Sequence, residues 1–148
     1  EDGNQIIFHN YVNLAVAVGL EEGLIVPVVK HAEKMSLSEL VVAIKDLTAR
    51  TVSKKLLPDE QMGSTFTISN LGMYGVSHFS AIINQPNAAI LSVAATVKKP
   101  VVINNEIVIR PMMNMSLTSD HRLIDGLVAA KFMTDLKALI ENPFSLLI

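Results

Sequence analysis

The 148-residue chain contains no cysteine, so the sequence does not report the redox compartment in which it works. It also lacks a long hydrophobic run. Its apolar stretches are strand-sized or broken by charge, well short of the roughly 20 residues that span a bilayer, and no secretory signal pattern opens the chain. An excess of positive charge is missing too: 12 Lys and Arg stand against 14 Asp and Glu, a net charge of -2, and the basic residues are dispersed. That removes the electrostatic footprint of a nucleic-acid or membrane-surface binder. The histidines show no close spacing of the kind that gathers three or four zinc ligands, so no metal site is expected. There is no glycine-rich phosphate loop, no internal repeat and no low-complexity linker.

What is present is apolar. Half of the residues are hydrophobic and only 18% are charged, in a chain of one-domain length that buries roughly 70% of its unfolded surface. That is more apolar material than a small monomer needs, which points to contacts between subunits.

The first part of the chain reads as strands: Gln5 to His9, Val12 to Val18, and Leu24 to Val29, the last two joined as a hairpin across Glu21-Glu22-Gly23. Ser36-Leu37-Ser38-Glu39 is a capping box, so a helix begins there, with Leu37, Leu40, Val41, Ile44 and Leu47 as its buried stripe. The proline of Leu56-Leu57-Pro58 is expected to end it. Ser64 to Ser69 alternates polar and apolar residues as a half-buried strand does, and a loop follows around Gly72 and Gly75. Ala88 to Thr96 is a further strand. Lys99 to Ile103 and Glu106 to Arg110 flank Asn104-Asn105, and asparagine tolerates the positive φ of a tight turn, so these two pair as a hairpin.

The most informative stretch is Ser119-Asp120-His121-Arg122-Leu123-Ile124-Asp125-Gly126. Before it, Met112 to Thr118 reads as a largely buried strand; after it, Val128, Phe132, Leu136, Leu139 and Ile140 recur at helical spacing in a helix from about Leu127 to Glu141. His121 therefore falls in a strand-to-helix turn, fixed at both ends by regular elements. Such a turn suits a residue that must hold one position against a substrate. A histidine there, taken alone, is more often structural than catalytic. Asp125 has a plain reading as the helix N-cap, compatible with a role in a site. Gly126 is expected to serve the backbone at a tight turn.

His-x-x-x-Asp-Gly, here in the fuller form Asp-His-Arg-x-x-Asp-Gly, resembles the signature of the 2-oxoacid dehydrogenase dihydrolipoamide acyltransferases, relatives of chloramphenicol acetyltransferase. Ala15 to Val18 with Gly23 to Val29, Phe66-Thr67-Ile68-Ser69-Asn70-Leu71-Gly72 and Ile82-Ile83-Asn84-Gln85-Pro86 agree with it in content and in order. The resemblance runs from about Tyr11 to the last residue. It implies an α/β fold, an α+β two-layer sandwich whose mixed β-sheet has helices packed on one face. It also implies acyl transfer between dihydrolipoamide and coenzyme A, with His121 as the base that takes the thiol proton and Ser69 as the hydroxyl donor to the oxyanion. Asp125 becomes a supporting residue that organises the site. Asp120 and Arg122 are expected to pair with other parts of the fold and orient the loop, or else to form a solvated surface pair with each other. With no phosphate loop, coenzyme A must bind in another way.

Among these acyltransferases, Asn70 to Gly75, Phe79 to Asn84 and Ala88 to Leu91 look most like the acetyl-transferring members of the pyruvate dehydrogenase complex; the acetoin system also transfers acetyl. The family further implies a homotrimer with Ser69 and His121 on opposite sides of a subunit interface, assembled into a 24- or 60-subunit core. Its partners would be a lipoyl domain carried outside this chain, the decarboxylase and dihydrolipoamide dehydrogenase, in bacterial cytoplasm or mitochondrial matrix. By the same resemblance, residues 1–148 are expected to correspond to the C-terminal part of the catalytic domain, lacking its N-terminal segment, with no lipoyl or peripheral-subunit-binding domain. The apolar tail Leu146-Leu147-Ile148 is the expected contact between trimers. Two other readings stay open. A noncatalytic scaffold subunit would be expected to lose the histidine, and a free-standing antibiotic acetyltransferase is disfavoured by Arg122 and the Ile-Ile-Asn-x-Pro stretch. His9 and His31 read as surface residues, and His78 as a possible lining of a cleft.

Overall fold

A computed structural model describes residues 5–146. The chain forms β1 (Leu14–Val16), β2 (Val18–Leu20), β3 (Gly23–Ile25), β4 (Val28–Val29), α1 (Leu37–Val52), β5 (Phe66–Asn70), β6 (Ala89–Val93), β7 (Val97–Ile103), β8 (Glu106–Met112), β9 (Met115–Ser119) and α2 (Gly126–Glu141). Five strands make the main sheet in the order β4-β1-β5-β6-β9. The pairs β1 with β5 and β5 with β6 are parallel and the two outer pairs antiparallel, so the sheet is mixed.

Both helices lie on one face of that sheet. Leu14 and Phe66 are register partners in β1 and β5, and cross-strand partners point the same way. Leu14 packs on the α1 cluster built around Val29, Ala32 and Leu47, while the Phe66 ring meets Phe132 of α2 at 5.9 Å between centroids. The α/β two-layer expectation holds.

The opposite face carries Ala15, Thr67, Ile90 and Ser92, all buried. An irregular segment, residues 76–87, lies over its β6 and β9 side and is tied down by bonds between side chain and backbone. Asn114 Nδ2 donates to the Ser77 carbonyl at 2.8 Å, Ser116 Oγ donates to the Phe79 carbonyl, and Ala81 N–H donates to Ser92 Oγ at 3.1 Å. At its end, buried Asn87 donates to buried Thr67 Oγ1 at 2.6 Å. A chain without a ladder of its own must place its backbone groups somewhere, and here the sheet's polar side chains receive several of them.

Several expectations need correction. Gln5 to His9 is not a strand: it runs without a ladder and is exposed, Phe8 at 86%. The first hairpin exists but breaks at Ala17 and at Val26-Pro27, which divides it between two sheets. Helix α1 starts at the expected cap, where Ser36 Oγ accepts from Glu39 N–H and the Glu39 carboxylate accepts from Ser36 N–H. It ends at Val52, well before Pro58, because Lys54 adopts the left-handed conformation (φ 57). Lys55 N–H then reaches back to the Arg50 carbonyl and Lys54 N–H to the Thr51 carbonyl, a Schellman closure. Leu37 and Val41 of the expected stripe are exposed, whereas Leu47 and Thr51 are buried.

The second hairpin is as expected. Asn104 and Asn105 both have positive φ, 53 and 63, the pair of values a two-residue turn of the favoured hand requires. Strand β9 is half-buried along its length, not largely buried. Of the expected tail, Leu147 and Ile148 lie outside the described residues, and the backbone of Leu146 closes a short 3₁₀ turn, Pro143–Leu146.

Candidate active site

His121 stands on the turn between β9 and α2. The turn is anchored by Asp120 N–H, which donates to the Ala88 carbonyl at 2.8 Å, and it closes on itself through Leu123 and Ile124 N–H, both donating to the Asp120 carbonyl at 2.9 Å. Asp125 then caps α2, its Oδ1 accepting from Val128 N–H at 2.9 Å. The cap satisfies one of the free amides at the helix start, and it fixes where α2 begins, five residues after the histidine. The His121 side chain is exposed and has no hydrogen-bond partner among the described residues. Its ring is free to meet a proton donor from outside the chain.

The side chains of Asp120 and Arg122 bond no other part of the fold among the described residues. They pair with each other: Arg122 Nη2 donates to Asp120 Oδ2 at 2.6 Å, Nε contacts both carboxylate oxygens, and Arg122 N–H donates to Oδ1 at 3.0 Å. Two residues apart, these groups staple the turn across His121. The hydrogen bonds from the Arg122 side chain hold the Asp120 carboxyl at about 2, against an ordinary 3.8. Gly126 opens α2, and a Cβ there would meet nothing within 4 Å, so the backbone does not demand glycine at this position.

Ser69 is the penultimate residue of β5, half-buried. In register it partners Ser92 of β6, which partners Ser116 of β9, so three serines form a row on the face away from the helices. Ser92 and Ser116 spend hydroxyl bonds on residues 79–81. The Ser69 hydroxyl has no partner among the described residues and is available to a ligand. Beyond it the chain turns sharply: Asn70 Oδ1 accepts from Gly72 N–H at 2.8 Å, and Leu71 N–H donates to the Val93 carbonyl at 3.1 Å. Asn70 escaped the sequence reading as a separate element of the site. Its signal is the order asparagine, any residue, glycine, which allows an asparagine side chain to bond the backbone two residues on.

One chain does not bring Ser69 and His121 together. From the serine row, β9 runs three residues to Ser119, the partner of Ala89, and leaves the sheet beyond it. At about 3.3 Å per residue along a strand and about 4.8 Å between strands, two strands away, the two side chains lie on the order of 15 Å apart. Two clefts among the described residues lie elsewhere. One is lined by Tyr11, His31 and Met62 among others, one by Leu24, Thr51 and Lys54, and neither includes Ser69, His121 or Asp125. His78 is exposed and lines neither; His9 and His31 are exposed, with His31 Nδ1 3.3 Å from Glu33 Oε1. Among the described residues no group of three or more His, Cys, Asp or Glu is placed to hold a metal ion, and no helix is long and apolar enough to cross a membrane.

The model of the 2-oxoacid dehydrogenases acyltransferase family, catalytic domain, matches residues 1–148. The dihydrolipoyllysine-residue acetyltransferase component of the Rickettsia prowazekii pyruvate dehydrogenase complex is 45% identical over 143 residues, 97% of this chain and 35% of that protein. A succinyltransferase component of a 2-oxoglutarate dehydrogenase complex, from Rickettsia typhi, is 44% identical over 147 residues, 99% of this chain and 37% of that protein. The chain thus spans about a third of the length of these curated relatives. Among solved structures, the Azotobacter vinelandii dihydrolipoamide acetyltransferase, studied for the catalytic roles of a serine, a histidine and an asparagine, superposes with a TM-score of 0.93 at 37% identity. The cubic core of the pyruvate dehydrogenase multienzyme complex superposes with a TM-score of 0.94 at 36% identity. Each alignment covers 99% of this chain and 60% of the other.

Proposed function

Because the chain belongs to the 2-oxoacid dehydrogenase acyltransferase family, of which it carries catalytic-domain sequence, we propose that it transfers an acetyl group between dihydrolipoamide and coenzyme A. The observation that carries this reading is His121, exposed and unbonded on a turn stapled by Asp120 and Arg122 and closed by the Asp125 cap. In the solved Azotobacter vinelandii enzyme the serine, histidine and asparagine follow one another at the same intervals as Ser69, His121 and Asp125, which supports the assignment.

In this reaction His121 takes the proton of the coenzyme A thiol as sulfur attacks the thioester carbonyl carbon of acetyl-dihydrolipoamide. A free thiol titrates near 8.5 and imidazole near 6.5, so positioning and a modest shift suffice for the transfer. The carbonyl electrons move to oxygen, and the resulting anion receives a hydrogen bond from the Ser69 hydroxyl. When the intermediate collapses, the carbon–sulfur bond to dihydrolipoamide breaks and the leaving sulfur recovers the proton from the imidazolium. Since one chain holds the two groups far apart, the base and the donor come from different copies in a homotrimer. Asp125 supports the site by fixing the start of α2.

The trimers build the core of a multienzyme complex of 24 or 60 subunits, as the likeness to the cubic core supports. A lipoyl domain, the decarboxylase and dihydrolipoamide dehydrogenase are its partners, and the bacterial relatives favour the bacterial cytoplasm. Nearly equal identity to acetyl- and succinyl-transferring relatives leaves the acyl group to the motif residues 70–75, 79–84 and 88–91, which favour acetyl.

The test is transfer from acetyl-CoA and from succinyl-CoA to free dihydrolipoamide by the full-length protein and its His121→Ala and Ser69→Ala variants, each checked for intact assembly. The expected result is a preference for acetyl-CoA and a fall of about 10² or more in kcat for both variants with KM little changed. Near-normal turnover by His121→Ala would reduce the chain to a core-forming scaffold.

A further inference from the structure

We propose that Asn70 is a positioning residue for Ser69 in the acyl transfer, holding the serine through the turn that ends β5. This rests on the reading of Ser69 as the oxyanion donor. A hydroxyl donor of that kind works only when held within about 0.5 Å of its productive place, and Ser69 is one residue from the end of its strand. On the C-terminal side, one ladder bond remains, Leu71 N–H to the Val93 carbonyl. The Asn70 carboxamide oxygen adds a second restraint by accepting from Gly72 N–H at 2.8 Å.

Gly72 supplies a third. A Cβ at this position would lie 2.9 Å from the Ala94 carbonyl oxygen and 3.1 Å from Asn70 Oδ1, so the turn closes onto the backbone just beyond β6 only with glycine. Asn70 itself is exposed and adds nothing to the core; among the described residues, its bond to Gly72 is the only one its side chain makes. The sequence Ser69-Asn70-Leu71-Gly72 is thus a hydroxyl donor followed at once by a local backbone lock. Misplacement of a catalytic group by about 1 Å costs up to about 10² in rate, which sets an upper bound on the cost of releasing this lock.

The experiment measures acetyl transfer to dihydrolipoamide by the assembled full-length protein carrying Asn70→Leu, Asn70→Asp, Ser69→Ala, or Ser69→Ala with Asn70→Leu. Leucine removes the acceptor at similar volume; aspartate keeps it. The expected outcome is a loss of about tenfold in kcat for Asn70→Leu with KM for acetyl-CoA little changed, recovery to within about threefold in Asn70→Asp, and less than about twofold added by Asn70→Leu in the Ser69→Ala background. Normal kcat in Asn70→Leu beside a depressed Ser69→Ala would overturn the positioning role and leave the oxyanion reading intact. So would a loss that persists in full without the serine, or failure of aspartate to recover it, which would mean that the amide contacts substrate directly. Normal turnover in Ser69→Ala would overturn both.

Discussion

Ser69 lies on the central strand of a five-stranded sheet, whereas His121 stands on a turn whose tie to the sheet runs through Asp120. The serine's surroundings are built from distant parts of the sequence: Ser92 and Ser116 share its row, and Asn87 and Thr67 bond across 20 residues next to it. The histidine's surroundings are local. Asp120, Arg122 and Asp125 all lie within four residues of it, and α2, which follows, has no buried residue. In the proposed mechanism, one half of the chemistry is therefore embedded in the fold and the other is presented outward from it, the contrast expected if one site is shared between copies.

The sharpest way to break the contrast is to exchange the consequences of mutation. His121→Ala should cost about 10²–10⁴ in kcat and leave the thermal midpoint of the protein unchanged, because the exposed ring makes no contact that folding requires; a large drop in midpoint would make the histidine structural. Asn87→Ala should do the reverse. It orphans buried Thr67 and removes a 2.6 Å bond, at a cost of about 1–3 kcal/mol in denaturant unfolding, while kcat of the folded protein stays near normal. An unchanged denaturant midpoint would show that the bond from Asn87 to Thr67 contributes nothing to stability.

A smaller effect sharpens the description of the histidine's turn. The pair with Arg122 lowers the folded-state value of Asp120, so its stabilisation is fully present above 3.8 and is lost as pH falls through about 2. In Arg122→Gln the carboxyl should titrate clearly higher by nuclear magnetic resonance, moving toward its ordinary 3.8 while the backbone N–H of residue 122 still lowers it, with little change in activity at neutral pH. A carboxyl that stays near 2 in the variant would mean that another group holds it.

Local chemistry was legible in the sequence. Ser36 with Glu39, Asn104-Asn105 and Asp125 each act through bonds within three residues, or through a φ preference, and each is found where the pattern placed it. The end of α1 was not legible, because a lysine holds the left-handed position where glycine would have announced it. Nor was the fate of apolar faces. Helical spacing identified Val128, Phe132, Leu136, Leu139 and Ile140 as one stripe, and all but half-buried Leu136 are exposed in the single chain. Periodicity shows which face is apolar and is silent on what covers it. The same limit explains Gln5 to His9, whose strand-like residues find no partner in the sheet. At the site, the family resemblance and not residue type alone pointed to His121, Ser69 and Asp125 and implied a subunit interface between serine and histidine; their separation within one chain follows from strand order and register, which no local pattern contains.

The measurement that tests the shared site most directly is complementation. His121→Ala and Ser69→Ala chains, each nearly inactive alone, are co-expressed in equal amounts and purified as mixed assemblies. If histidine and serine of one site come from different copies in a closed ring, each interface has one chance in four of holding both intact, so activity should return to about a quarter of the unmodified protein's. Mixed assemblies no more active than the two variants assayed separately would contradict the account.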